Sequence, residues 1–115
     1  MVTNRQARVV LVTCGTRGEA RRIAQAVVTA GLAACVNIIS APVESVYRWK
    51  GKVEKAREFL LVVKTSEKQL RELEETIRRL HSYDLPEFLV LGVAGGSKGY
   101  LRWLLTESSS RAAGQ

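Results

Sequence analysis

The stretch LHSYDLPEF, residues 80–88, holds the one histidine of the chain, His81, followed closely by Tyr83 and Glu87, and the chain has two cysteines, Cys14 and Cys35. Imidazole ligates metals and moves protons near neutral pH, while thiolates act as soft metal ligands or nucleophiles. Most of the chemistry open to the molecule therefore rests on very few side chains. Each also has a plainer reading. Free cysteine is among the most buried residue types, so Cys14 and Cys35 both suit a core, with an exposed strand-end thiol as the functional alternative for Cys14. His81 suits the end of a helix, with Tyr83 and Pro86 shaping the turn that follows, or else a metal or small-anion site.

Other motifs exclude more than they offer. AGGSKGY, residues 94–100, lacks the G-x-x-x-x-G-K-[ST] order that puts a backbone cradle and a hydroxyl on a phosphate, and reads as a turn and helix cap. CGTRGE is not G-x-G-x-x-G, although a helix start there could hold a small anion beside Arg17. No Ser-His-Asp signature is present. Glu19, Glu44, Glu54, Glu58 and Glu87 could pair in space, which spacing alone does not decide. A nucleophilic cysteine assisted by His81 is the one catalytic arrangement left open.

With 115 residues the chain makes one domain, expected over residues 1–107, and ESSSRAAGQ carries no periodicity, so residues 108–115 read as a mobile tail. The net charge of +7 is scattered over every element with acids in between, which suits a solvated surface better than a phosphate-binding patch. RNA-recognition domains of similar element order carry aromatics on their central strands, and VVLVT and LLVVK have none, which argues against nucleic acid as a partner. No apolar run approaches the roughly 18 residues of a membrane span, and no cleavable leader is evident, so a cytoplasmic protein without membrane contact is expected. Two cysteines without a C-x-x-C pair make neither a disulfide framework nor a zinc site.

The elements that must position these groups follow from pattern. RVVLVT, residues 8–13, is a buried strand, and Thr16 with Glu19 forms a T-x-x-E capping box opening a helix that Gly31 stops. Residues 32–40 make a second strand. Residues 43–65 make a long hairpin turning at Lys50-Gly51. Ser66 and Gln69 form an S-x-x-Q box for a second helix with the stripe Leu70, Leu73, Ile77 and Leu80. Residues 87–94 form a fourth apolar strand, Gly95-Gly96 a turn, and Ser97 caps a short third helix. The order β-α-β-β-α-β plus a final helix predicts an α+β, split β-α-β domain with an antiparallel sheet and helices on one face. A return arm over residues 52–65 spans about 45 Å, whereas a helix of about 14 residues covers about 21 Å. The ribbon therefore overhangs, and its apolar tip, with Tyr47, Trp49 and Val53, is expected to dock on copies of the same chain in a closed ring.

The segments LVTC, LAACVNI, SVYRWKGKVE, LLVVKT, LHSYDLPEFLVLGV and YLRWL, in unbroken order over residues 8–105, resemble the CutA divalent-cation tolerance proteins. The resemblance implies a ferredoxin-like fold and a homotrimer with hairpin strands pairing between subunits, in a layout like the PII signalling proteins. It implies a non-enzymatic role in tolerance of copper and other divalent cations, bound weakly and with no required cofactor. It places metal ligands at Cys35 and His81, with Tyr83 and Glu87 near. The chain departs from the family pattern at Ser82, where H-P-Y is usual, and at Leu80, where some members have a second histidine. The alternative it leaves is a PII-like signalling or scaffolding trimer that holds an anionic small molecule, or a partner protein, in intersubunit clefts lined by Arg and Lys.

Overall fold

The computed structural model describes residues 1–109. Its elements are β1 (Val2–Thr3), β2 (Ala7–Cys14), α1 (Arg17–Thr29), β3 (Cys35–Ile38), β4 (Val43–Trp49), β5 (Lys52–Ser66), α2 (Leu70–Leu80), β6 (Leu89–Gly92), β7 (Gly95–Gly96) and α3 (Lys98–Glu107). The main sheet is antiparallel in the order β3-β5-β2-β6, with β4 paired to the early part of β5. This is the expected α+β, ferredoxin-like arrangement.

Alternation along the strands decides where the core lies. Val10, Val12 and Cys14 of β2, with Leu61 and Val63 of β5, point to the face covered by Ala20, Ile23 and Val27 of α1 and by Leu73 and Ile77 of α2. Full burial of side chains such as Ile23, Leu61 and Ile77 contributes about 1.5–3 kcal/mol each. A smaller cluster of Ala7, Ala34, Leu101 and Leu104 seats α3 at the beginning of β2. The opposite face of the sheet, with Val9, Leu11, Leu60 and Val62, is only half-buried.

Helix α1 ends as its glycine predicts. Gly31 takes φ 74°, its N–H donates to Val28 O, and the Leu32 N–H donates to Val27 O, so the last carbonyls are satisfied. The hairpin turns where expected, with Lys50 at φ 50° and Gly51 at φ 80°.

Five local expectations need correction. Residues 32–34 are a buried connection rather than strand: Leu32 O accepts from the Thr65 hydroxyl at 2.6 Å and the Ala34 N–H donates to Lys64 O. Ser66 makes no side-chain cap, because its hydroxyl donates to Ser108 O at 3.0 Å, and α2 begins at Leu70 after a 3-10 turn over Glu67–Gln69. Gly95-Gly96 is not a turn but pairs with Val2–Thr3, and a Cβ on Gly95 would strike the Val2 carbonyl oxygen. The fourth strand is short and lies at the sheet edge with Leu89, Val90 and Leu91 exposed. Ser108, read as the start of the tail, is buried, and residues 110–115 lie outside the described residues.

The molecule measures 44 × 34 × 24 Å. Its exposed large apolar side chains include Val46, Tyr47, Trp49 and Val53 on the hairpin and Leu89, Val90 and Leu91 on the edge strand.

Candidate functional site

Three elements end at one place. Cys14 is the last residue of β2, Glu19 lies in the first turn of α1, and His81 follows the last turn of α2. The β2-to-α1 connection is only Gly15 and Thr16, so strand end and helix start are close by necessity. Thr16 caps α1 as predicted, its hydroxyl oxygen accepting from the Glu19 N–H at 3.1 Å. The Glu19 carboxylate, however, turns inward rather than back to the cap. Its Oε1 is 3.9 Å from Arg22 and its Oε2 is 3.3 Å from His81 Nδ1.

His81 is buried, and its ring does not cap the helix. The backbone does that, with the His81 N–H donating to Ile77 O at 2.9 Å. The imidazole instead reaches β2, where Nε2 is 2.8 Å from Thr13 O. A carbonyl can only accept, so Nε2 carries the proton. In the neutral ring Nδ1 then keeps a lone pair, which accepts from the Tyr83 N–H at 3.1 Å. Donation of one ring N–H to a carbonyl, so that the other nitrogen is free to ligate, is the usual second contact of a metal-binding histidine. In this arrangement Glu19 Oε2 faces a lone pair, and it is a buried oxygen with no hydrogen-bond partner among the described residues.

Cys14 closes the group: its Sγ, a Glu19 oxygen and a His81 ring nitrogen all lie within 4.8 Å of one another, and all three residues are buried. Burial pushes the Cys14 thiol up to about 12, the Glu19 and Glu58 carboxylates add to this, and Arg22 opposes it. Without a cation the sulfur is therefore a thiol. Sulfur, imidazole nitrogen and carboxylate oxygen suit a thiophilic first-row cation. The 3.3 Å between Nδ1 and Oε2 also matches the edge of a tetrahedral site, where such donors about 2.0–2.2 Å from the ion stand roughly 3.3–3.6 Å apart. The residues present fit a metal ion, and the orphaned carboxylate oxygen is the strongest sign of it.

The ligands expected from the sequence are divided by the fold. His81 is in the cluster, but Cys35 is not. Cys35 pairs with Lys64 on β5, whereas Thr13, which His81 grips, pairs with Leu60 four residues away, about 13 Å along the strand. Tyr83 lies beside the cluster with its ring centroid 4.7 Å from that of His81, and its hydroxyl donates to Glu58 Oε2 at 2.9 Å. Burial, and then this hydrogen bond to a carboxylate, holds the Tyr83 phenol well above its usual range. Glu87 stands apart, lining an open cleft of about 850 Å³ together with Tyr83, Glu58, Asp84, Tyr47 and Trp49. Its carboxyl is raised by burial and then by the charge of Glu58. Among the described residues no Arg or Lys lines this cleft. Arg17, considered for an anion at the helix start, is engaged already: it donates to Ser40 O at 3.0 Å and lies over the Phe59 ring.

Sequence reasoning missed Cys14 and Glu19 as partners of His81. The signal was a cysteine at a strand end followed five residues later by the capping-box glutamate. That glutamate was assigned to the backbone, and nothing local showed that α2 would end above it.

Comparison with known proteins gives a concordant picture. The family described as CutA1 divalent ion tolerance protein matches residues 8–107. The divalent-cation tolerance protein CutA of Thermus thermophilus is 45% identical over 96 residues, covering 84% of this chain and 92% of its own. The chloroplastic CutA of Arabidopsis thaliana is also 45% identical over 96 residues, covering 84% of this chain and 52% of its own, so this chain spans about half the length of that relative. Among solved structures, the Cut A1 protein of Thermus thermophilus superposes with a TM-score of 0.87 at 42% identity, covering 90% of this chain and 99% of its own. The protein from Archaeoglobus fulgidus, described as periplasmic, has a TM-score of 0.85 at 33% identity and covers 90% and 99% of the two chains.

Proposed function

This chain belongs to the CutA1 divalent ion tolerance family, and we propose that it acts by binding a thiophilic divalent cation such as copper at Cys14, Glu19 and His81. The observation that carries the reading is the buried Glu19 Oε2, which lacks a donor and faces the His81 lone pair beside a thiol. A cation there would satisfy all three groups at once. Loading displaces the Cys14 proton, so binding weakens as pH falls. The role is non-enzymatic. What supports this is that Cys14, Glu19 and His81 are all buried.

The reading includes assembly as a homotrimer. It is supported by the exposed Val46 (65%) and Val53 (62%) on a two-stranded ribbon and by the exposed apolar edge strand β6, surfaces that a ring of identical chains would cover. A cytoplasmic setting is part of the proposal, and a reducing compartment would keep both cysteines as free thiols. Among the described residues no helix is long and apolar enough to cross a membrane. The alternative of an anionic ligand finds no support in the cleft of a single chain, where Glu58, Asp84 and Glu87 are the charged groups among the described residues.

Anaerobic calorimetric titration with cobalt(II), a redox-quiet stand-in for divalent copper, tests the site. Cys14→Ser and His81→Ala should each abolish most of the binding heat, Glu19→Gln should weaken it by about tenfold to a hundredfold, and Cys35→Ser should leave it unchanged. An isotherm that Cys14→Ser leaves intact would remove this site.

A further inference from the structure

The cluster has no open approach: Cys14 is fully buried, the His81 side chain is 0% exposed and that of Glu19 is 8% exposed. One residue meets it at several points. Tyr83 lays its ring on His81, directs its N–H at Nδ1, and rests its hydroxyl over Gly15, next to Cys14, where a Cβ would come within 3.1 Å of the oxygen. Residues 81–88 form neither helix nor strand, and Leu85 beyond the tyrosine is 71% exposed. The segment is therefore a turn held at one end by α2 and at its middle by Tyr83.

We propose that Tyr83 is the lid of the Cys14–Glu19–His81 cluster, latched by its hydroxyl on Glu58, and that a cation or thiol reagent enters when this turn swings out. The inference about the cation rests on the metal-binding reading given above, while that about access to Cys14 does not. Its physical basis is competition at a single nitrogen. Both ring nitrogens of His81 are occupied, Nε2 by Thr13 O and Nδ1 by the Tyr83 N–H, and only Nδ1 faces Glu19. The lone pair cannot serve the Tyr83 N–H and an ion together, so closure and ligation are alternatives. The Tyr83–Glu58 hydrogen bond, at 2.9 Å to a buried carboxylate on β5, makes closure the state of the ion-free protein.

The rival route passes on the solvent side of Glu19, by Arg22, whose side chain is 62% exposed. Alkylation of Cys14 by iodoacetamide in a Cys35→Ser background separates the two. Tyr83→Phe keeps the ring and the N–H but removes the latch, and should speed labelling about tenfold, as loss of a hydrogen bond to a charged group would. Gly15→Ala, where the glycine has no positive φ, crowds the hydroxyl off Glu58 and should act in the same direction without altering Tyr83. Arg22→Ala should not accelerate labelling. Wild-type rates in both Tyr83→Phe and Gly15→Ala, or acceleration by Arg22→Ala alone, would overturn the lid. Unchanged melting temperature and sedimentation of the faster variants would assign the effect to local opening. A second readout is amide exchange at Tyr83, which should rise on cobalt(II) loading because its acceptor is taken, and protection that stays constant in a loaded protein also counts against the lid. If the lid variants speed labelling but Cys14→Ser binds cobalt(II) as well as wild type, the lid stands and the metal site falls.

Discussion

Strand β5 passes through two environments. From Phe59 to Ser66 it has β2 on one side and, over its later residues, β3 on the other, and Leu61, Val63, Thr65 and Ser66 are buried. From Lys52 to Glu58 its partner is β4, and Glu58 is the one buried residue. The same backbone geometry thus serves a core that closes within one chain and a ribbon whose apolar side chains stay exposed. A two-stranded ribbon is marginally stable alone, so its conformation and its assembly are one question, whereas the core answers for itself. The candidate site lies at the junction. Glu58, where the buried half begins, holds Tyr83, and Phe59 pairs with Cys14.

The sharpest way to break this comparison is to charge the ribbon. Trp49→Glu combined with Val53→Glu should abolish self-association at micromolar concentration, read as a fall in sedimenting mass to that of one chain, while the helical circular dichroism persists. If mass and stability are both unchanged, the ribbon is not an interface. In the other half of β5, Leu61→Ala should cost about 2–5 kcal/mol in denaturant unfolding. Val53→Ala should cost less than about 0.5 kcal/mol once the chain is monomeric. Equal losses at the two positions would mean that the ribbon carries a core of its own.

A third measurement uses pH. The Cys14 thiol is raised in the folded protein from about 9 to about 12, so folding favours the protonated form. This contribution is fully present below about pH 9, where the unfolded thiol is also protonated, and it is lost as pH rises toward 12. Stability of the ion-free protein should then fall above pH 9 by up to about 1.4 kcal/mol per unit, and Cys14→Ala should remove that part of the slope. Thr16→Ala, which deletes the α1 cap near the same cluster, should cost about 1 kcal/mol, with no effect on assembly. A loss of assembly in that variant would couple the two regions.

Much of the fold was legible because its signals are local. The Thr16 cap, the Gly31 stop, the Lys50-Gly51 turn and the helical stripe Leu73–Ile77 each depend on residues a few positions apart. The failures share the opposite property. Ser66 gives its hydroxyl to Ser108, 42 positions away, and Gly95 is needed for its approach to Val2. The site divided in the same way. His81 stood out by its type, but which cysteine it would meet depended on the strand order, since β2 brings Cys14 to the end of α2 and β3 begins with Cys35 opposite the far part of β5. Glu19 looked spent on the cap. Only its N–H is, which leaves the carboxylate for the interior.

The stitch between Ser66 and Ser108 has a practical outcome. Ser66 faces Ala7 at the beginning of β2, and the Val2–Thr3 pair with Gly95–Gly96 adjoins the same edge through Asn4 and Val93. Both ends of the described chain thus emerge where β2 starts, about 23 Å along that strand from Cys14. A dye or affinity handle placed on Met1 or Ser109 would ride at the pole of the molecule remote from both the cluster and the hairpin tip, so the protein could be tethered there without obstructing either one.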